Sequence, residues 1–159
     1  MDKTYEILDH PADLKIRVFG NDLSEVFVNM ALAVAKQQTP ARVSAKGVAE
    51  EIIIESSDLA SLLVDWLSEI LYRGEINKKV YTDFEITEFS EKPYKYPHRP
   101  IHKEFGEEGI TFRCGGNIKA KIRGVAVESK NMDIKAVTYH ELEIKKIDDH
   151  WEAIVVFDV

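Results

Sequence analysis

Cysteine is nearly missing from this sequence. Cys114 is the only one, so neither an intrachain disulfide nor a zinc cage of paired cysteines can form. Long apolar runs are missing too, and nothing approaches the roughly 20 residues a helix needs to span a bilayer. The opening, MDKTYEILDH, has neither the basic end nor the apolar stretch of a signal peptide, so a cytoplasmic location without a membrane partner is expected. Cationic charge is in deficit: 21 Lys and Arg against 28 Asp and Glu give a net charge of −7, which opposes broad binding of bare nucleic acid. The chain also contains no Gly-rich phosphate loop, no His-Glu-x-x-His helix and no nucleophile elbow. No nucleotide cofactor and no catalytic residue of its own is therefore expected.

What is present fits one α+β domain over 159 residues. YEIL and LKIRVFG read as short strands, the second alternating Leu14, Ile16 and Val18 with Lys15 and Arg17. DLSEVFVNMALAVAKQQ reads as a helix capped by Asp22, with Glu25 completing a capping box and Leu23, Val26, Phe27, Met30, Ala31 and Val34 on one stripe. After the strand EEIIIES, Asp58 caps a second helix, LASLLVDWLSEILYRG, for which Gly74 is the predicted stop. Strands then dominate: KVYTDFEITEF, ITFRC, NIKAKIRGVAVES, VTYHELEIKKI and WEAIVVFD, with hairpin turns predicted at Gly115-Gly116 and Asp148-Asp149. Two helices in the first half and strands in the second predict helices packed on a mainly antiparallel sheet.

One stretch departs from this pattern. Ser90–Gly109 holds three of the five prolines and two of the five histidines. Lys92, Lys95, Arg99 and Lys103 give it four basic residues, with no acidic residue between Lys92 and Lys103. It reads either as a solvated insertion or as a basic, tyrosine-bearing contact surface for RNA or an acidic partner.

Several carboxylates stand where apolar residues are expected. Asp13 opens a strand, Asp65 interrupts LLVDWL, and Asp158 with the main-chain carboxylate of Val159 closes the last strand. A buried carboxylate needs hydrogen bonds, water or a cation. Were Asp13 and Asp158 on neighbouring strands, a shared divalent ion would remove their repulsion. Oxygen ligands alone suit Ca²⁺ or Mg²⁺, whereas help from His10 or His140 shifts the preference toward Zn²⁺ or Mn²⁺. The plainer readings are a turn role for Asp13 and a solvent-facing Asp65. By strand parity with Leu142 and Ile144, His140 reads as a core histidine, and Lys135 as a strand-edge lysine.

Three segments together, YEILDHPADLKIRVFG, DLASLLVDWLSEILY and IKAVTYHELEI…WEAIVVFDV, resemble the archease family in order and over nearly the whole chain. The resemblance implies an α+β protein that acts as a cofactor of an RtcB-type tRNA-splicing ligase. In that role it promotes the ligase's metal-dependent, GTP-driven guanylylation and multiple turnover, touching RNA only through the ligase. It further implies metal ligands at Asp13, Asp158 and Val159, with Ca²⁺ the first expectation, and an activating lysine at Lys135. Asp65, His10 and His140 take supporting places. A second implied role is protection of a tRNA cytosine methyltransferase from aggregation. Pro11 stands where the family's His-Thr-Ala-Asp element carries threonine, which removes a hydroxyl and a backbone donor beside Asp13.

Overall fold

Alternation decides the strands and capped apolar stripes decide the helices. The computed structural model describes residues 3–91, 93–95, 112–114 and 116–159, the two short central segments as backbone strand only. Strands β1 (Tyr5–Leu8) and β2 (Leu14–Gly20) form a hairpin, and in β2 every second residue from Leu14 is buried. Helix α1 (Leu23–Gln38) starts at Asp22, whose carboxylate accepts the Glu25 N–H at 2.8 Å. The capping box is shifted by one residue: the Glu25 carboxylate reaches back to the backbone N–H of Asn21, at 3.4 Å, not to that of the cap itself.

Strand β3 (Glu50–Ser56) leads to α2 (Leu59–Asn77), where Asp58 accepts the Ser61 N–H at 2.7 Å. The predicted stop at Gly74 is corrected. The helix runs on to Asn77 and ends at Lys78, which adopts a left-handed conformation with φ of 53°. Gly74 is buried inside the helix for another reason: a Cβ there would stand 2.8 Å from the carbonyl oxygen of Lys79, so the bare backbone lets the next strand turn tightly against the helix.

The remaining strands are β4 (Lys79–Ser90), β5 (Pro93–Lys95), β6 (Phe112–Cys114), β7 (Gly116–Ala126), β8 (Ala136–Val137), β9 (Glu143–Ile147) and β10 (His150–Asp158). All described pairings are antiparallel. One sheet runs β1-β2-β10, with β9 on the early part of β10 and β8 on its last residues; a second runs β3-β7-β4, and β5 pairs with β6. The Asp148-Asp149 turn joins β9 to β10 as predicted. Gly116 is instead the first residue of β7, opposite Ser56, while Gly115 lies outside the described residues.

The two helices fill the space between the sheets. Phe27, Met30, Trp66, Leu67, Ile118, Ile122, Val155 and Phe157 are almost wholly buried. Each such side chain contributes about 1.5–3 kcal/mol by leaving water. The Trp66 indole N–H donates to the Phe27 carbonyl at 3.0 Å, which ties α2 to α1. This core explains the unusual end of the chain. β10 lies between β2 and the β8/β9 side of its sheet, so both of its edges are paired; Ala153–Phe157 are buried, and the chain returns to solvent only at Asp158.

Candidate metal centre

Backbone register assembles the site. Leu14 of β2 pairs with Phe157 of β10, and Lys15 with Val156. The ladder ends there: Asp13 is the bend residue just before β2, and Asp158 is the last residue of β10, where it pairs with Ala136 of β8. The reading of these carboxylates as buried is corrected: Asp13 is half-buried and Asp158 and Val159 are exposed, while the plainer reading of Asp65 as solvent-facing holds. Lys135 is exposed just before β8, and its backbone N–H donates to the Asp158 carbonyl at 2.8 Å. Residues far apart in the chain thus meet at one corner.

Two turns bring further groups to this face. The first spans residues 9–13, where Ala12 has φ of 63° and the Asp13 N–H points to the His10 carbonyl at 3.4 Å. The second replaces what reads in the sequence as continuous strand. VTYHELEIKKI divides into β8 and β9 around a turn closed by Leu142 N–H to the Tyr139 carbonyl at 3.2 Å, with Glu141 at φ of 55°. The Thr138 backbone N–H and hydroxyl both donate to the Val156 carbonyl, at 3.1 and 2.8 Å, so the turn is fastened to β10. His140 is consequently no core residue; it is exposed at the turn.

The side chains converge on Glu141. Its Oε2 accepts from Lys15 Nζ at 3.0 Å and lies 3.5 Å from His10 Nε2, while its Oε1 lies 3.9 Å from His140 Nε2. The Lys15 hydrogen bond and charge hold the Glu141 carboxyl below its ordinary range. The other His10 nitrogen, Nδ1, is buried without a well-aligned hydrogen bond and has Asp13 Oδ2 at 3.3 Å. The two imidazoles meet edge to face, with centroids 6.0 Å apart. One donor atom each from His10, His140 and Glu141 lie within 4.8 Å of one another, making this a possible metal-binding triad.

Sequence reasoning missed Glu141. The usable signal was the polar Tyr139-His140-Glu141 run interrupting an apolar alternation. The described hydrogen bond of Asp65 is with the Ser56 hydroxyl at the end of β3, on the outer face of α2. Lys92, Arg99 and Lys103 lie outside the described residues, and of Lys95 only the β5 backbone is described. Among the described residues no helix is long and apolar enough to cross a membrane.

Residues 5–159 match the Archease protein family (MTH1598/TM1083). The chain belongs to the archease family. It is 40% identical to the protein archease of Methanosarcina barkeri, over 99% of this chain and 97% of that one. To the protein archease of Pyrococcus furiosus it is 33% identical, over 99% of each chain. The solution structure of protein 1598 of Methanobacterium thermoautotrophicum superposes with a TM-score of 0.71 at 27% identity, covering 98% of this chain and 99% of that one. A Thermotoga maritima archease, described as a possible chaperone, shares the fold with a TM-score of 0.61 at 17% identity, covering 100% of this chain and 98% of that one.

Proposed function

We propose that this archease-family protein is a metal-dependent cofactor, without an activity of its own, of an RtcB-type tRNA-splicing ligase in the cytoplasm, where it promotes guanylylation and repeated turnover of the ligase. The observation that carries the reading is the pairing of Leu14 with Phe157, the residues next to Asp13 and Asp158, together with the Asp158 carbonyl accepting the backbone N–H of Lys135. Two carboxylates and the terminal oxygens of Val159 are hard donors that fit Ca²⁺, with Mg²⁺ next. The ion would neutralise clustered negative charge and, at the ligase, polarise phosphate oxygens. Lys135 contributes a compact point cation able to meet phosphate charge, and its anchored backbone fixes where that ammonium starts from.

The test is a guanylylation assay of purified ligase at limiting metal, with and without this protein. Asp158→Ala and Lys135→Ala are expected to keep the fold and lose the stimulation; full stimulation by both variants removes this function.

A second reading, aggregation protection of a tRNA cytosine methyltransferase, draws on one surface feature. Ile53 and Tyr72 are 56% and 61% exposed and line one cavity on the outer side of α2, together with Asp65 and Ser68. Light scattering of the methyltransferase separates the two. Protection that survives Asp158→Ala but fails in Tyr72→Ser supports this reading, and the converse excludes it.

A further inference from the structure

The all-oxygen corner does not use the imidazoles beside it. We propose that His10, His140 and Glu141 form a second metal site, selective for a borderline transition ion of the Zn²⁺ class, with Asp13 as its positioning residue. The site adjoins the proposed Ca²⁺ corner and shares Asp13 with it, but that corner requires neither imidazole.

Geometry is the first support. Two ligands each about 2.0–2.1 Å from a tetrahedral ion lie about 3.4 Å from one another. His10 Nε2 and Glu141 Oε2 are already 3.5 Å apart. His140 Nε2 stands 3.9 Å from the second Glu141 oxygen, its ring is exposed, and one donor atom of each of the three residues lies within 4.8 Å of the others. Two imidazole nitrogens and one carboxylate are the donors that borderline ions accept and Ca²⁺ does not favour. A fourth position would face solvent.

The surroundings of His10 are the second support. Metal-bound histidines commonly give their other ring N–H to a carboxylate, which fixes the tautomer and aims the free lone pair at the ion. Asp13 Oδ2 lies 3.3 Å from His10 Nδ1, the buried nitrogen that has no other described partner. With the proton on Nδ1, the Nε2 lone pair faces the Glu141 carboxylate, an arrangement that a cation bound between them would favour. Asp13 retains Oδ1 for the neighbouring oxygen corner. Both turns that carry the triad are closed by backbone hydrogen bonds, so the donors start from fixed positions.

Lys15 is the competitor. Its ammonium holds Glu141 Oε2 at 3.0 Å, the oxygen that the ion would take. A plain ion-pair network and a metal site therefore predict opposite effects of removing Lys15. Loss of the lysine weakens the former and frees a ligand in the latter.

The experiment is titration of the full chain with Zn²⁺ by calorimetry and with Co²⁺ by visible absorption, whose intense bands report a tetrahedral environment. One ion per chain is expected. His140→Ala and Glu141→Gln should each abolish the Co²⁺ bands, and Asp13→Asn should weaken uptake by about 10- to 100-fold, the range for losing a partner behind a ligating histidine. Lys15→Met should tighten uptake, whereas Asp158→Ala should leave the Co²⁺ spectrum unchanged. Circular dichroism of each variant separates lost binding from lost folding. Absence of Zn²⁺ uptake, undiminished uptake by both His140→Ala and Glu141→Gln, or dependence on Asp158 in place of His140 would overturn the site. None of these readouts involves the ligase, so failure here leaves the guanylylation result standing by itself.

Discussion

The backbone N–H of Lys135 donates to the carbonyl of Asp158 at 2.8 Å, while the lysine side chain is left exposed. Backbone and side chain therefore have separable duties. Lys135→Ala keeps the hydrogen bond, so its unfolding free energy should stay within about 0.5 kcal/mol of the parent. Lys135→Pro removes the donor and should cost about 1 kcal/mol, with fraying of the last residues. Urea denaturation of both variants checks this. Equal destabilisation would mean that the ammonium, not the amide, anchors the terminus.

The chain end offers a second separation. Val159 is 39% exposed and Asp158 is exposed, so residues added beyond Val159 leave into solvent without entering the core. An extended chain should retain its melting temperature. Conversion of the terminal carboxylate to a peptide removes one negative charge and weakens Ca²⁺ uptake, as calorimetry would record. Unchanged Ca²⁺ affinity would remove Val159 from the ligand set.

Tyr81 supplies a pH-dependent prediction. Its ring is buried, its hydroxyl donates to Glu50 Oε2 at 2.7 Å, and Asn77 Nδ2 donates to the same hydroxyl at 3.0 Å. Burial first, and the hydrogen bond to the Glu50 carboxylate second, push its pKa from 10.0 to about 12. The folded state therefore favours the neutral phenol. The stability this contributes is fully present below pH about 10 and is lost as pH rises through about 12. Tyr81→Phe should cost about 1–3 kcal/mol at neutral pH by removing the hydroxyl partner of Glu50. The lower end is expected because Arg73 and Lys79 both stand 3.8 Å from the Glu50 carboxylate. Denaturation of both proteins between about pH 9 and 12 should give a stability that falls more steeply in the parent; parallel curves would refute the assignment.

Local signals carried most of the fold. Asp22 and Asp58 cap the helices as predicted, and β1, β2 and β3 have the limits that their alternation implies. Misreadings occurred where tertiary packing or an unsignalled backbone angle intervened. VTYHELEI reads as one strand because the reversal at 138–142 depends on a positive φ at Glu141, a residue type with no turn signature. That error sent His140 to the core and left Glu141, one of the three members of the imidazole-carboxylate cluster, unnoticed. Asp13 and Asp158 were legible as anomalies. The pairing of β2 with β10 that brings their neighbours Leu14 and Phe157 together was not, since pairing between chain ends is a property of the assembled sheet.

Gly74 permits a prediction in which two effects compete. Alanine inside a helix is favoured over glycine by about 0.8–1.0 kcal/mol, so Gly74→Ala should stabilise α2 if propensity decided the outcome. The new methyl would meet the Lys79 carbonyl oxygen at 2.8 Å, however, and that atom belongs to backbone entering β4. Relieving the contact requires either the helix end or the strand to shift, and overpacking of this kind costs about 1–3 kcal/mol. Gly74→Ala should therefore be destabilising on balance. Gly47→Ala is the control: a Cβ there meets nothing closer than the Gly124 carbonyl oxygen at 3.6 Å, so the substitution should be neutral or raise stability by up to about 1 kcal/mol. Urea midpoints of the two variants decide the matter, and a Gly74→Ala protein more stable than the parent would show that the helix end yields freely to β4.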